Sequence, residues 1–295
     1  MKKPVFTGSG TALVTPFRNG IINYKRLAEY IDFQYDSGTS AIIICGTTGE
    51  CAALSAAEHD ALIEFATEYN AGRMKVIAGV GGNNTALCLT HAENALKCGA
   101  DGLLMVTPYY NKTNQSGLIR HFLTVADAIE LPLILYNVPS RTGMTISPET
   151  YATLAEHPNI NGVKEASGDF TLISGLLCTC SGLWVWSGND DNTLPMMALG
   201  AAGVISVASN LVPGAVAELC HLCLSGDFGA AQVLNRQYFP LFRALFVDVN
   251  PIPVKAAMEM AGMDPGAARL PLGRLSQRDY LHLTEVIQKY GLMKE

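Results

Sequence analysis

Ala41-Ile42-Ile43-Ile44-Cys45-Gly46-Thr47-Thr48-Gly49-Glu50 is an unbroken apolar run closed by a glycine-flanked polar turn. A five-residue run is too short for a stable helix, and it contains no polar residue to mark a wet face. It reads as a strand buried on both sides. The same unit recurs outward along the chain at residues 11–14, 75–79, 102–106, 133–136, 162–164, 184–186 and 203–207, which makes eight runs in all. Between them, stretches 56–68, 85–97, 117–128 and 147–155 show helical periodicity and often start after Ser or Thr caps.

Strict alternation of strand and helix, with strand starts about 20 to 35 residues apart, is compatible with a closed parallel barrel or an open doubly wound sheet. Eight units favour the α/β class with a (β/α)8 TIM barrel. An open dinucleotide-binding sheet should carry G-x-G-x-x-G at its first turn, whereas Gly79-Val80-Gly81-Gly82-Asn83-Asn84 lacks the third glycine and follows the third strand. Beyond residue 225 the strands stop, and Pro240, Pro251, Pro253 and Pro271 punctuate helical segments. The expected division is a catalytic barrel over 1–225 and a C-terminal helical extension over 226–295.

Composition agrees, because 49% apolar and 16% charged residues suit strands covered by helices on both faces. The net charge is −6 and no Lys/Arg cluster exceeds two neighbours, so neither nucleic acid nor a membrane surface is expected as a partner. Residues 194–217 form a 24-residue uncharged stretch, but Gly200, Gly203, Ser206, Ser209, Asn210, Pro213 and Gly214 divide it into short pieces. No apolar segment follows Lys2 and Lys3, so the chain reads as cytoplasmic. The eight cysteines are expected to be reduced, buried thiols. Cys220-His221-Leu222-Cys223 has no second ligand pair at zinc-site distance, so no metal is expected there or in catalysis.

In barrels the catalytic side chains gather at the C-terminal strand ends. Those ends present Thr47 and Thr48, Tyr110, Tyr136 and Arg141, Lys164-Glu165 and Gly188-Asn189-Asp190. Lys164 closes the run Ile160-Asn161-Gly162-Val163, so its amine should face the barrel mouth. Desolvation lowers a lysine pKa, and a partly neutral amine can form an imine with a carbonyl substrate. The plainer alternative is a lysine paired with Glu165 or with another carboxylate at a strand end. Tyr136 and Tyr110 could relay protons, while Thr47 and Thr48 offer hydroxyls and backbone N–H groups to a carboxylate. Arg141 is a second, bidentate carboxylate reader or a surface ion pair.

Taken together, the motifs resemble the dihydrodipicolinate synthase/N-acetylneuraminate lyase family over nearly the whole chain. They comprise Gly10-Thr11-Ala12 with Thr15-Pro16-Phe17, then residues 46–50, 106–111, 136–143, 162–169, 187–190, 203–210 and 250–255. The resemblance implies that Lys164 forms an imine with pyruvate without any other cofactor. It also implies a proton relay of Tyr136, Thr48 and Tyr110, a pyruvate carboxylate held by Thr47 and Thr48, and a pocket lined by Gly188 and Ile205. The residue matching Tyr110 reaches across a subunit interface in the family, which implies a homo-oligomer, a tetramer built as a dimer of dimers. Lys255 is not the nucleophile by this match.

Arg141 and the Thr47-Thr48 pair favour the synthase side of the family. The implied reaction condenses pyruvate with aspartate semialdehyde to 4-hydroxy-tetrahydrodipicolinate in lysine and diaminopimelate synthesis. The rival readings are a sialic-acid or keto-deoxy-sugar-acid aldolase and a non-enzymatic keto-acid-binding barrel. Positions matching the family's lysine-inhibition site are Cys51, Ala52, Ala56, His59, Asn83, Leu87 and Tyr109. Leu87 replaces a glutamate and Ala56 a histidine of regulated members, which implies weak inhibition by lysine or none.

Overall fold

The computed structural model describes residues 2–294. Eight parallel strands close into a barrel: β1 (Gly8–Ala12), β2 (Ala41–Ile44), β3 (Lys75–Gly79), β4 (Gly102–Val106), β5 (Leu133–Asn137), β6 (Ile160–Glu165), β7 (Trp184–Ser187) and β8 (Gly203–Ser206). Each strand pairs with its sequence neighbours, and β8 closes the ring on β1. Around them lie α1 (Tyr24–Asp36), α2 (Ala56–Asn70), α3 (Thr85–Lys97), α4 (Gln115–Ala128), the single turn α5 (Pro139–Thr142), α6 (Pro148–Ala155), α7 (Phe170–Thr179), α8 (Thr193–Ala198) and α9 (Pro213–Ser225). A C-terminal helical part follows, made of α10 (Phe228–Ala244), α11 (Ile252–Met260) and α12 (Gln277–Lys289).

Residues 194–217 divide as expected into the body of α8, the buried β8, a short 3-10 turn and the start of α9. Among the described residues no helix is long and apolar enough to cross a membrane.

Several boundaries differ from the sequence reading. The first strand is Gly8–Ala12 and not residues 11–14, because Gly8 to Thr11 pair in register with Gly203 to Ser206. The ladder ends where the Val14 N–H donates to Asn210 Oδ1 at 3.0 Å instead of to a strand. Pro240 does not break its helix, since α10 runs through it to Ala244. Proline's φ fits a helix and the loss is one hydrogen bond plus a kink, which burial of Leu241, Phe242 and Ala244 beyond it offsets. Helix caps are more often Asn or Asp than Thr: Asn23, Asn84, Asn114 and Asp169 join Ser55 and Ser147. All eight cysteines are unpaired, but only five are buried; Cys51 and Cys98 are half-buried and Cys178 is exposed.

Strand alternation creates two cores. Ile42, Ile44, Leu135, Val163, Val185 and Val204 point outward and pack under the helices. Ile43, Ile134, Tyr136, Trp186 and Ile205 point inward and fill the barrel. Phe6 plugs the lower end by stacking on Trp186 with ring centroids 5.1 Å apart.

Gly162 makes room for this filling. A Cβ there would lie 2.2 Å from the Trp184 carbonyl oxygen and 2.6 Å from Trp186 Cζ3. Neither a strand backbone nor a packed indole can yield by that much. Gly162→Ala is therefore expected to lose about 1–3 kcal/mol or more of stability, the usual cost of overpacking. Denaturant unfolding followed by tryptophan fluorescence measures it, and an unchanged midpoint would contradict this account of the barrel interior.

Candidate active site

Neighbouring positions on β6 point in opposite directions, and this separates Lys164 from Glu165. Lys164 is only 5% exposed, faces inward between Tyr136 on β5 and Trp186 on β7, and holds its Nζ 4.4 Å from the centre of the Tyr136 ring. Glu165 faces the helices. There it accepts hydrogen bonds from Tyr151 Oη at 2.8 Å, the Ser167 N–H at 2.8 Å and Asn137 Nδ2 at 3.0 and 3.1 Å. The alternative of a Lys164–Glu165 pair is thereby excluded, since the carboxylate's capacity is taken up on the other face of the strand.

Burial pushes the Lys164 amine down to about 7, with the Asp190 charge opposing and the Arg141 charge adding to the shift. Asp190 is itself committed elsewhere. Its carboxylate accepts from Ser206 Oγ and from the backbone N–H groups of Val207 and Ala208, both at 3.0 Å, and so fixes the turn after β8. It acts on Lys164 as a remote charge only. Gly188 leaves room for the lysine chain, because a Cβ there would sit 2.6 Å from Ala166 Cβ and 3.2 Å from Lys164 Cε. Ile205 closes the wall of the barrel interior, fully buried beside Tyr136.

The Tyr136 phenol is raised above its usual range by burial, a shift opposed by the Arg141 charge and by a hydrogen bond from Thr47. The hydroxyl next to Tyr136 is thus that of Thr47. Thr48 instead accepts a hydrogen bond from Asn250 Nδ2 at 3.0 Å. Tyr110 stands apart from this set, 93% exposed and in the left-handed region at φ 66°. Left-handed backbone at a tyrosine costs energy and is uncommon outside functional segments.

Two functional contributors were missed by sequence reasoning. Asn250 binds Thr48 through its side chain, and its carbonyl accepts from Arg141 Nη2 at 3.3 Å. Its segment, residues 250–255, entered the sequence reading only as one of the motifs that carry the resemblance. Lys255 is buried in an ion pair with Glu50 at 2.5 Å and lies 4.5 Å from the Phe17 ring centre. Glu50 also accepts the Arg269 N–H at 2.8 Å, and Arg269 in turn binds Glu58. The helical part thereby clamps the Thr47–Thr48 turn, and Lys255 is a structural cation.

Thr47, Val138, Arg141, Thr142, Tyr109 and Asn250 border a cavity of about 270 Å³. A second cavity of about 200 Å³ gathers Cys51, Ala52, Ala56, His59, Asn83, Leu87 and Tyr109, so Tyr109 separates the two. The Leu87 side chain is 48% exposed at its edge.

A closed (β/α)8 barrel that buries a desolvated lysine amine and carries an arginine on a cavity of about 270 Å³ defines the class, that of the barrel lyases. The chain belongs to the dihydrodipicolinate synthetase family, whose model matches residues 5–290. It is 46% identical over 294 residues to the 4-hydroxy-tetrahydrodipicolinate synthase of Thermoanaerobacter sp. (strain X514), covering 99% of both chains. Dihydrodipicolinate synthase from Aquifex aeolicus superposes with a TM-score of 0.96 at 46% identity, covering 98% of this chain and 100% of that one. The Cyanidioschyzon merolae enzyme, solved with lysine bound, superposes with a TM-score of 0.95 at 37% identity, covering 99% and 100%.

A lysine at about 7 has a sign that can be tested. Below that pH the amine is protonated and unreactive, and above it the neutral form predominates. Trace acetylation of Lys164 with acetic anhydride, read by peptide mass spectrometry, is expected to rise through about pH 7 and then level off. A midpoint near the ordinary 10.5 would show that the barrel mouth does not desolvate the amine.

Proposed function

We propose that this chain condenses pyruvate with L-aspartate 4-semialdehyde to 4-hydroxy-tetrahydrodipicolinate in lysine and diaminopimelate biosynthesis, through an imine on Lys164 and with no other cofactor. The observation that carries the reading is a buried lysine with its amine near neutrality, packed on a tyrosine that a threonine hydroxyl contacts. The shared name of the curated relatives supports the choice of substrates.

The steps follow from the groups present. The neutral Lys164 amine adds to the C2 carbonyl of pyruvate, and loss of water leaves an iminium. Tyr136, whose ring lies against the amine, gives a proton to the departing oxygen, and Thr47 holds the phenol in line. The iminium draws electrons from the C3–H bond, and loss of that proton gives an enamine. Its C3 then attacks the aldehyde carbon of the second substrate, whose oxygen takes up a proton. The amino group of that substrate adds to the former C2, closes the ring and releases Lys164. The Thr47 and Thr48 turn receives the pyruvate carboxylate, and Arg141 at the rim of the 270 Å³ cavity receives the carboxylate of the aldehyde.

The finer reading of the assembly is a cytoplasmic homotetramer, a dimer of dimers. The exposed Tyr110 in its left-handed conformation supports a second copy at that face, where its phenol would extend the Thr47–Tyr136 relay of the partner.

Borohydride added with pyruvate is expected to leave a reduced adduct on the Lys164 peptide. Arg141→Ala should keep this trapping while kcat/KM for the aldehyde falls roughly 10- to 100-fold, the loss of a charge-assisted contact worth about 1.5–3 kcal/mol. An adduct on Lys255, or trapping lost as severely as turnover, would overturn these assignments.

Lysine is expected to inhibit weakly or not at all. Leu87 offers no carboxylate to an ammonium entering the 200 Å³ cavity, and an unpaired, partly buried charge costs several kcal/mol. Strong inhibition below about 1 mM lysine, equivalent to binding of roughly 4 kcal/mol or more, would show that another group supplies that charge.

A further inference from the structure

His59 and His91, on the wall of the cavity of about 200 Å³, belong to a constellation that the condensation does not use. His59 and Asp60 are adjacent on α2, and His91 projects from α3 with its ring centre 3.9 Å from that of His59. His59 Nε2 lies 2.8 Å from the Gly79 carbonyl oxygen. A carbonyl oxygen can only accept, so Nε2 carries the proton and Nδ1 of the neutral ring presents a lone pair. That lone pair points at Asp60 Oδ1, 3.4 Å away, and His91 Nδ1 approaches the same oxygen at 3.4 Å. With His91 carrying its proton on Nε2, three lone-pair atoms converge within 4.8 Å of one another.

We propose that His59 Nδ1, His91 Nδ1 and Asp60 Oδ1 form a three-ligand site for a divalent transition metal, with zinc the best match. Zinc binds imidazole nitrogen and carboxylate oxygen at about 2.0–2.2 Å, so neighbouring ligands in a tetrahedral shell stand about 3.4 Å apart. Both His–Asp separations have this value, and the two imidazole nitrogens lie within 4.8 Å of each other. The second contact of His59 fits as well, because a metal-binding imidazole normally donates its other N–H to a carbonyl or carboxylate, which fixes the ring and its tautomer. Both imidazoles border the cavity, so the fourth position opens into it and would take water or the carboxylate of a small molecule.

A single proton shared between His91 and Asp60 would relieve only one of the two contacts. The His59 lone pair would still face the carboxylate. A cation at the centre satisfies all three groups at once and ties α2 to α3. Nothing in residue order marks this site. The spacing from His59-Asp60 to His91 spans a whole helix–strand–helix unit, and only the barrel brings the two helices side by side.

Chain stripped with EDTA and titrated with zinc chloride by calorimetry is expected to bind one tight equivalent. Zinc-edge X-ray absorption of that complex should show nitrogen and oxygen neighbours at roughly 2.0–2.2 Å and no sulfur shell near 2.3 Å. His91→Gln and Asp60→Asn should each weaken this equivalent at least about tenfold, whereas Cys178→Ser should leave it unchanged. Thermal unfolding of the metal-free variants checks that they remain folded. Absence of a tight equivalent, a sulfur shell, or undiminished affinity in the two variants would overturn the proposal. The absorption spectrum of the unmodified protein decides the question even if a variant fails to fold.

Discussion

The site depends on keeping one ammonium group out of water. Lys164 has no carboxylate in contact, since Glu165 is spent on Asn137, Tyr151 and Ser167 and Asp190 on the turn after β8. A direct ion pair would have restored the ordinary pKa and removed the nucleophile. The remote Asp190 charge tempers the cost of burial without cancelling it, which leaves the amine at about 7. A residue that destabilises the fold in its charged form is thus tolerated because it is useful in its neutral one.

That arrangement constrains the surrounding barrel. Gly188 must lack a side chain so that the lysine stem can pass. Gly162 must lack one so that Trp186 can fill the interior beneath it. The Thr47–Thr48 turn is held from outside the barrel by Asn250 on Thr48 and by the buried Glu50–Lys255 pair, with Arg269 bonded to Glu50 through its backbone. Removing one partner of such a pair leaves an uncompensated buried charge, so the helical part and the site stand or fall together. Two lysines are buried within this one chain, and they differ in role because one is paired and the other is not.

Much of this was legible from residue order. The eight apolar runs gave the barrel because a strand covered on both faces leaves a continuous hydrophobic signature. The position of Lys164 at the end of one such run already implied a desolvated amine. Boundaries were less legible where pairing decided them: nothing local in Gly8-Ser9-Gly10 favours a strand, and that segment is ordered by β8 nearly 200 residues away. The choice between Thr47 and Thr48 was likewise closed to inspection, because adjacent residues on a turn point to different neighbours, Tyr136 for one and Asn250 for the other.

Residue order alone was enough for the class of fold and the family, and it singled out Lys164 as the candidate amine, because these rest on local periodicity and on motifs whose meaning survives without coordinates. Tertiary structure alone decided which charges meet. It turned Glu165 away from Lys164, paired Lys255 with Glu50, drew Asn250 onto Thr48 and set His59, Asp60 and His91 around a common point. The physical reason is range. Hydrophobic patterning is written in neighbouring residues, whereas an electrostatic contact acts over a few ångströms between groups that may lie anywhere along the chain.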